Sequence, residues 1–207
     1  MTLCENSILQ LRERIKPYMS ERRHRHTLGV EKAAARIGCL IMSDKVAELR
    51  VAALLHDIAK ERTVDEQLEF IHSCGISLTD EDANTKSALH AFAAPGLIKR
   101  DFSEYASDEI LKATFTHTLG SPDMSIFAEI IFLADFVEDS REYESCRKTA
   151  EYLFSSLSNE VDHEHNLRVL HTASIMAINY TELSLSARGE KINSTSVSAR
   201  KMLENLI

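Results

Sequence analysis

The stretch Ala52–Arg62, AALLHDIAKER, sets a histidine beside an aspartate at the end of a strongly apolar helical run. Two side chains that are costly to bury stand where a helix leaves its apolar face. Either this is a helix tip meeting water, or the pair serves an ion. In a helix, His56 and Asp57 would project about 100° apart. A long imidazole and a short carboxylate could then both reach one cation beside the helix.

Working outward, apolar residues recur at helical spacing nearly everywhere. Leu3, Ile8, Leu11 and Ile15 mark a first helix that Pro17 helps to end. Further helices are expected over 25–42, 44–59 and 64–74, the last closed by Gly75. The polar segment GISLTDEDANTKS reads as a loop, followed by helices over 87–99, 107–116, 125–136, 142–156 and 161–183. SARGEKIN is a loop, and Ser194 would cap a last helix to Leu206. With three prolines, six glycines and no convincing alternating strand, the class is all-α. The reading is a single domain over 1–207, with an N-terminal helix (about 1–17) and C-terminal helices (about 161–207) packed on a helical bundle.

A chain of 207 residues, 44% hydrophobic, buries roughly 70% of its unfolded surface and holds a core without disulfides. The net charge of −8 argues against a nucleic-acid binder, since phosphate backbones require a basic face. The N-terminus lacks the apolar core of a signal peptide, and no run approaches the ~20 apolar residues of a membrane span. Cys4, Cys39, Cys74 and Cys146 form no CxxC pair. Together these features predict a cytoplasmic protein, with Cys39 as part of the core.

Histidines and aspartates at the edges of apolar runs recur in a definite order: His26, His56–Asp57, His90, His117, then Asp135. Asp135 follows Ile130, Ile131, Phe132, Leu133 and Ala134, so it is expected to face protein. A buried unpaired carboxylate costs several kcal/mol, and a divalent cation removes that cost. A buried salt bridge or helix-end cap is the plainer reading of any one of these residues. His24, His72, His163, His165 and His171 carry no such pattern and read as surface or packing residues.

The order H…HD…H…H…D resembles the HD superfamily of metal-dependent phosphohydrolases, a helical-bundle fold. The likeness is closer to its YqeK-type branch of symmetrical bis(5'-nucleosyl)-tetraphosphatases. It rests on Arg23, His26, Thr27 and Val30 (R..HT..V), on ALLHDIAK from Ala53 to Lys60, and on Leu89–His90. It continues through His117, Thr118, Gly120, Pro122, Met124 and Ser125, through Leu133, Ala134, Asp135, Glu138 and Arg141, and ends with Thr195, Ala199, Arg200 and Leu203. Leu119, Ser121, Asp139 and Ala91 depart from the branch's usual residues, and none of them replaces a ligand.

The resemblance implies two metal ions in the core of the bundle. His26, His56, Asp57 and Asp135 would hold one, and Asp57 would bridge to a second held by His90 and His117. Iron is the metal it implies, with manganese, cobalt, magnesium and zinc as alternatives for this thiolate-free donor set. Cations about 3.5–4 Å apart would acidify a bridging water for attack on phosphorus. The implied activity is cleavage of diadenosine tetraphosphate to two ADP, with Asp57 and Lys60 as catalytic residues. Lys60, Thr118, Gly120 and Arg141 would contact the nucleotide. Another HD hydrolase of nucleoside triphosphates or alarmones, and a non-catalytic nucleotide sensor, are the competing readings. A homodimer through an apolar helix face is left open.

Overall fold

The computed structural model describes residues 4–207, so Leu3 of the first expected helix lies outside the described residues. Eleven α-helices and three short 3-10 turns account for the regular structure, with no strand among the described residues. The helices are α1 (Glu5–Ile15), α2 (Glu21–Ile41), α3 (Val46–Leu55), α4 (Val64–Ser73), α5 (Asp80–Asn84) and α6 (Leu89–Asp101). They continue with α7 (Asp108–Thr116), α8 (Ile126–Val137), α9 (Glu144–Ser156), α10 (His163–Ala187) and α11 (Ser194–Glu204).

Helix starts follow local chemistry. Ser20, Thr63, Ser107, Ser125 and Asp162 each stand in extended backbone and accept from a backbone N–H of the first turn. Such caps satisfy donors that the helix itself leaves open, about 1 kcal/mol apiece. Thr63 and Glu66 complete a reciprocal capping box that ends the HD segment and begins α4.

The bundle is organised around α3 and α8. Helix α2 packs on both, α7 packs on both, and α6 lies between α4 and α7. Helix α1 docks on α3, and α10 covers α8 while carrying α9 and α11 on its own flanks. Leu54, Leu55, Ile58, Ile130, Ile131 and Leu133 are fully buried. At roughly 1.5–3 kcal/mol for each large side chain removed from water, these residues anchor the ends of α3 and α8. Those are the two places that carry Asp57 and Asp135.

Four expectations need correction. The third helix stops at Leu55, and His56 is its C-cap. His56 to Glu61 form tight turns, with Ile58 N–H donating to Leu55 O and Lys60 N–H to Asp57 O. The HD pair thus sits where the helix tightens and ends, not within it. The polar segment after Gly75 contains the short helix α5, capped by Thr79, because Thr79 satisfies Asp82 N–H. Asn193, not Ser194, caps the last helix. Cys39 is exposed, on the outer side of α2, whereas Ile37, Gly38 and Ile41 face inward.

Candidate metal centre

Five segments converge to build the site. His26 comes from the second turn of α2, and His56 and Asp57 from the turn after α3. His90 lies at the start of α6, His117 caps the end of α7, and Asp135 lies near the end of α8. His56, Asp57, His90 and His117 are 0–3% exposed, and His26 only 8%. The Asp135 side chain is 21% exposed and forms the wetter edge.

All six expected ligands come together in overlapping groups: His26, His56 and Asp57; His56, His117 and Asp135; and Asp57, His90 and His117. Asp57 stands at the middle. Its Oδ1 lies 3.1 Å from His90 Nε2 and 3.5 Å from His117 Nε2, while its Oδ2 lies 3.4 Å from His56 Nε2. Across the site, Asp135 Oδ1 is 3.0 Å from His26 Nε2 and 3.9 Å from His56 Nε2.

The outer ring nitrogens explain which lone pairs face inward. His56 Nδ1 lies 2.6 Å from Ala53 O, and His117 Nδ1 lies 2.7 Å from Thr114 O. A carbonyl oxygen only accepts, so both Nδ1 atoms donate and each ring turns its Nε2 to the centre. His26 Nδ1 similarly lies 3.0 Å from Glu138 Oε1. His26 Nε2 and His56 Nε2 are fully buried without a hydrogen-bond partner, and His90 Nε2 and His117 Nε2 lie only 3.2 Å apart. Buried, inward-pointing imidazole nitrogens without a hydrogen-bond partner, set beside two carboxylates, fit a metal ion, because coordination would give each of them a partner.

Electrostatics agree with this fit. Burial by itself would push both carboxyls up. The charge on His56 and the imidazole donors of His117, His56 and His90 outweigh it and hold Asp57 well below the usual carboxylate range. For Asp135, Arg141 and His26 do the same. Burial pushes His90 down to about 4, so its ring is neutral and free to ligate. Burial also opposes charge on His26, yet Asp135 and Glu138 raise it to about 9. Ionised carboxylates that draw protons onto neighbouring rings form a centre that favours cations.

Cations line the edge. Arg23 Nη1 donates to Asp57 Oδ2 at 2.6 Å, and its side chain is 27% exposed. Arg141 donates to both Asp135 O and Asp135 Oδ1. Lys60 Nζ lies 3.1 Å from His90 Nε2, and burial lowers its pKa from the usual amine range. Thr118 Oγ1 stands 3.2 Å from both His90 Nε2 and His117 Nε2. Gly120 follows with φ of +70°, a left-handed turn that a side chain would strain. Each sequence-expected site residue except Gly120 is therefore at or beside the cluster; a Cβ at Gly120 would meet Ala199 and Met124 instead.

Sequence reasoning overlooked three contributions. Arg23 and Glu138 were noted only as parts of a pattern, and their partners Asp57 and His26 lie 34 and 112 positions away. Gly29 gave no signal beyond being a glycine inside a helix.

The HD domain family model matches residues 23–138. The chain belongs to the HD-domain family, and His26, His56, Asp57, His90, His117 and Asp135 all lie within the matched residues. It is 31% identical over 134 residues to a symmetrical bis(5'-nucleosyl)-tetraphosphatase of Halalkalibacterium halodurans, covering 65% of this chain and 70% of that one. A protein of the same name from Bacillus subtilis is 31% identical over 141 residues, covering 66% and 74%. A crystal structure of a Clostridium acetobutylicum protein, described as a predicted HD superfamily hydrolase involved in NAD metabolism, superposes with a TM-score of 0.79. That match is 26% identical and covers 95% of this chain and 96% of the other. Within the HD family, the chain thus belongs with the symmetrical bis(5'-nucleosyl)-tetraphosphatases, as a phosphohydrolase with a cluster able to hold metal. No helix among the described residues is long and apolar enough to cross a membrane.

Proposed function

We propose that this chain hydrolyses dinucleoside tetraphosphates symmetrically, diadenosine tetraphosphate above all, at a two-metal centre. His26, His56, Asp57 and Asp135 would hold one ion, and Asp57, His90 and His117 the second. Iron suits this imidazole and carboxylate set, in which no thiolate takes part. Bound cations would supply Lewis-acid charge to phosphoryl oxygen and to water. The observation that carries the reading is the pair of orphaned, buried Nε2 atoms on His26 and His56, aimed at two ionised carboxylates.

The remaining residues would manage the phosphate charge. Arg23, Lys60 and Arg141 place three cations around the acidic centre, each within reach of a ligand side chain. A guanidinium binds phosphate through a planar fork, and an ammonium acts as a point charge. Thr118 and the turn at Gly120 would shape the wall on the His90–His117 side. Attack of one water on a central phosphorus breaks the middle P–O–P bridge, and each half leaves as a nucleoside diphosphate.

The test incubates metal-loaded protein with diadenosine tetraphosphate and separates products by ion exchange. ADP alone is expected. ATP plus AMP would overturn symmetric cleavage. Faster turnover of nucleoside triphosphates, guanosine alarmones or NAD in the same panel would reassign the substrate. Tight nucleotide binding with no turnover under any metal would make the protein a sensor.

A further inference from the structure

Glu138 takes no place among the six ligands, yet it is only 2% exposed and its carboxylate reaches His26 Nδ1. Its Oε1 lies 3.0 Å from His26 Nδ1 and accepts from Ser140 Oγ at 2.5 Å, while its Oε2 accepts from Ser140 N at 2.8 Å. The carboxylate is thus fixed at both oxygens, and a fixed acceptor on Nδ1 dictates where the His26 ring points Nε2.

Room for this arrangement comes from Gly29, one turn further along α2. A Cβ at position 29 would stand 2.4 Å from Glu138 Oε2 and 3.2 Å from its Cδ. With both oxygens already engaged, the carboxylate could not yield without breaking its bond to His26 or to Ser140. Glycine weakens a helix interior relative to alanine, and here the missing side chain has a use.

We infer that Glu138 and Gly29 are positioning residues: the gap at Gly29 seats the Glu138 carboxylate, and that carboxylate orients His26 for metal. The inference rests on the reading of His26 as a ligand. Glu138 acts on affinity by fixing the ring, and Gly29 acts only through Glu138. Outer partners of this kind change metal affinity about ten- to a hundredfold.

The experiment titrates metal-free full-length protein with Co²⁺, using its absorption bands and competition against a chelator. Helical circular dichroism is recorded alongside. Four proteins are compared with wild type: Glu138→Gln, Glu138→Ala, Gly29→Ala, and the Gly29→Ala/Glu138→Ala double variant. Glu138→Ala is expected to bind the tightest-held Co²⁺ about ten- to a hundredfold more weakly, and Glu138→Gln to recover part of that loss. Gly29→Ala is expected to weaken binding in the wild-type background and to add nothing in the Glu138→Ala background. Such non-additivity is what a shared contact produces, and general helix damage would add instead. Equal affinity in all variants, or a Gly29→Ala effect undiminished without Glu138, would overturn the inference. Should Glu138→Ala fail to fold, the comparison of Gly29→Ala with Glu138→Gln decides: wild-type affinity in both overturns it. If wild-type protein binds no Co²⁺ or other divalent metal, the ligand reading itself fails, a result distinct from the others.

Discussion

Two places in this bundle bury histidine against carboxylate, and they differ in what they leave unpaired. In the cluster, His26 and His56 turn fully buried Nε2 atoms on the centre with no donor to meet them. Between α8 and α10, His171 Nδ1 instead lies 2.9 and 3.1 Å from the two oxygens of Glu129. Both residues of that pair are buried, and no fully buried ring nitrogen of His171 is left without a partner. The residue types are the same, but the second arrangement is complete in itself. A closed pair holds two helices together, whereas an open set of ring nitrogens left without partners can hold an ion.

The largest effect should come from breaking the open set at its centre. Asp57→Ala removes the carboxylate that faces His56, His90 and His117 at once. Loss of about 4 kcal/mol of transition-state stabilisation corresponds to roughly a thousandfold slower turnover. Hydrolysis of diadenosine tetraphosphate should fall by about that factor or more while circular dichroism stays helical, and retained activity would reject the central role of Asp57.

Breaking the closed pair should act on stability and spare the chemistry. His171→Ala leaves Glu129 buried without its partner, at a cost of about 3–5 kcal/mol. For a chain of this size each kcal/mol shifts Tm by about 2–4 °C. Thermal unfolding should therefore move down by roughly 10 °C, with metal content per folded molecule unchanged. Loss of metal in this variant would erase the distinction between the two sites.

An intermediate change at the edge of the cluster sharpens the comparison further. Arg141→Gln removes a guanidinium from Asp135 and from the proposed phosphate path. KM for the tetraphosphate should rise about tenfold, near the 1.4 kcal/mol of one charge-assisted contact. A fall in kcat alone would place Arg141 with the ligands instead. The smallest effect belongs to the histidines outside both sites. His163 is exposed and His165 half-buried in the first turn of α10. Replacing either with alanine should change stability by no more than about 0.5 kcal/mol and leave metal binding as it was.

The comparison also marks how far the sequence could be read. His163 and His165 were legible as lying outside the metal site, and His163 is exposed in the first turn of α10, whereas the Asp162 cap ahead of them came only from the structure. His171 was legible only as surface or packing, since Glu129, its partner, is 42 positions away. The six cluster residues stood out through their order and their apolar flanks. Their supporting contacts did not, because Glu138 reaches His26 across 112 positions and Gly29 matters only for the space it leaves. The HD pair itself was placed in a helix by periodicity. The structure moves it onto the turn after α3, because local period does not mark where a helix tightens to its end.

The sequence by itself determined the all-helical class and the identity of the six converging side chains, since both are written in local spacing and in residue order. Only the tertiary structure decided which ring nitrogens face the centre, which histidine is closed off by a carboxylate, and which glycine makes room for the residue behind a ligand. Those outcomes depend on contacts between distant segments, and a buried polar group's role is set by whether its partner arrives, not by its neighbours along the chain.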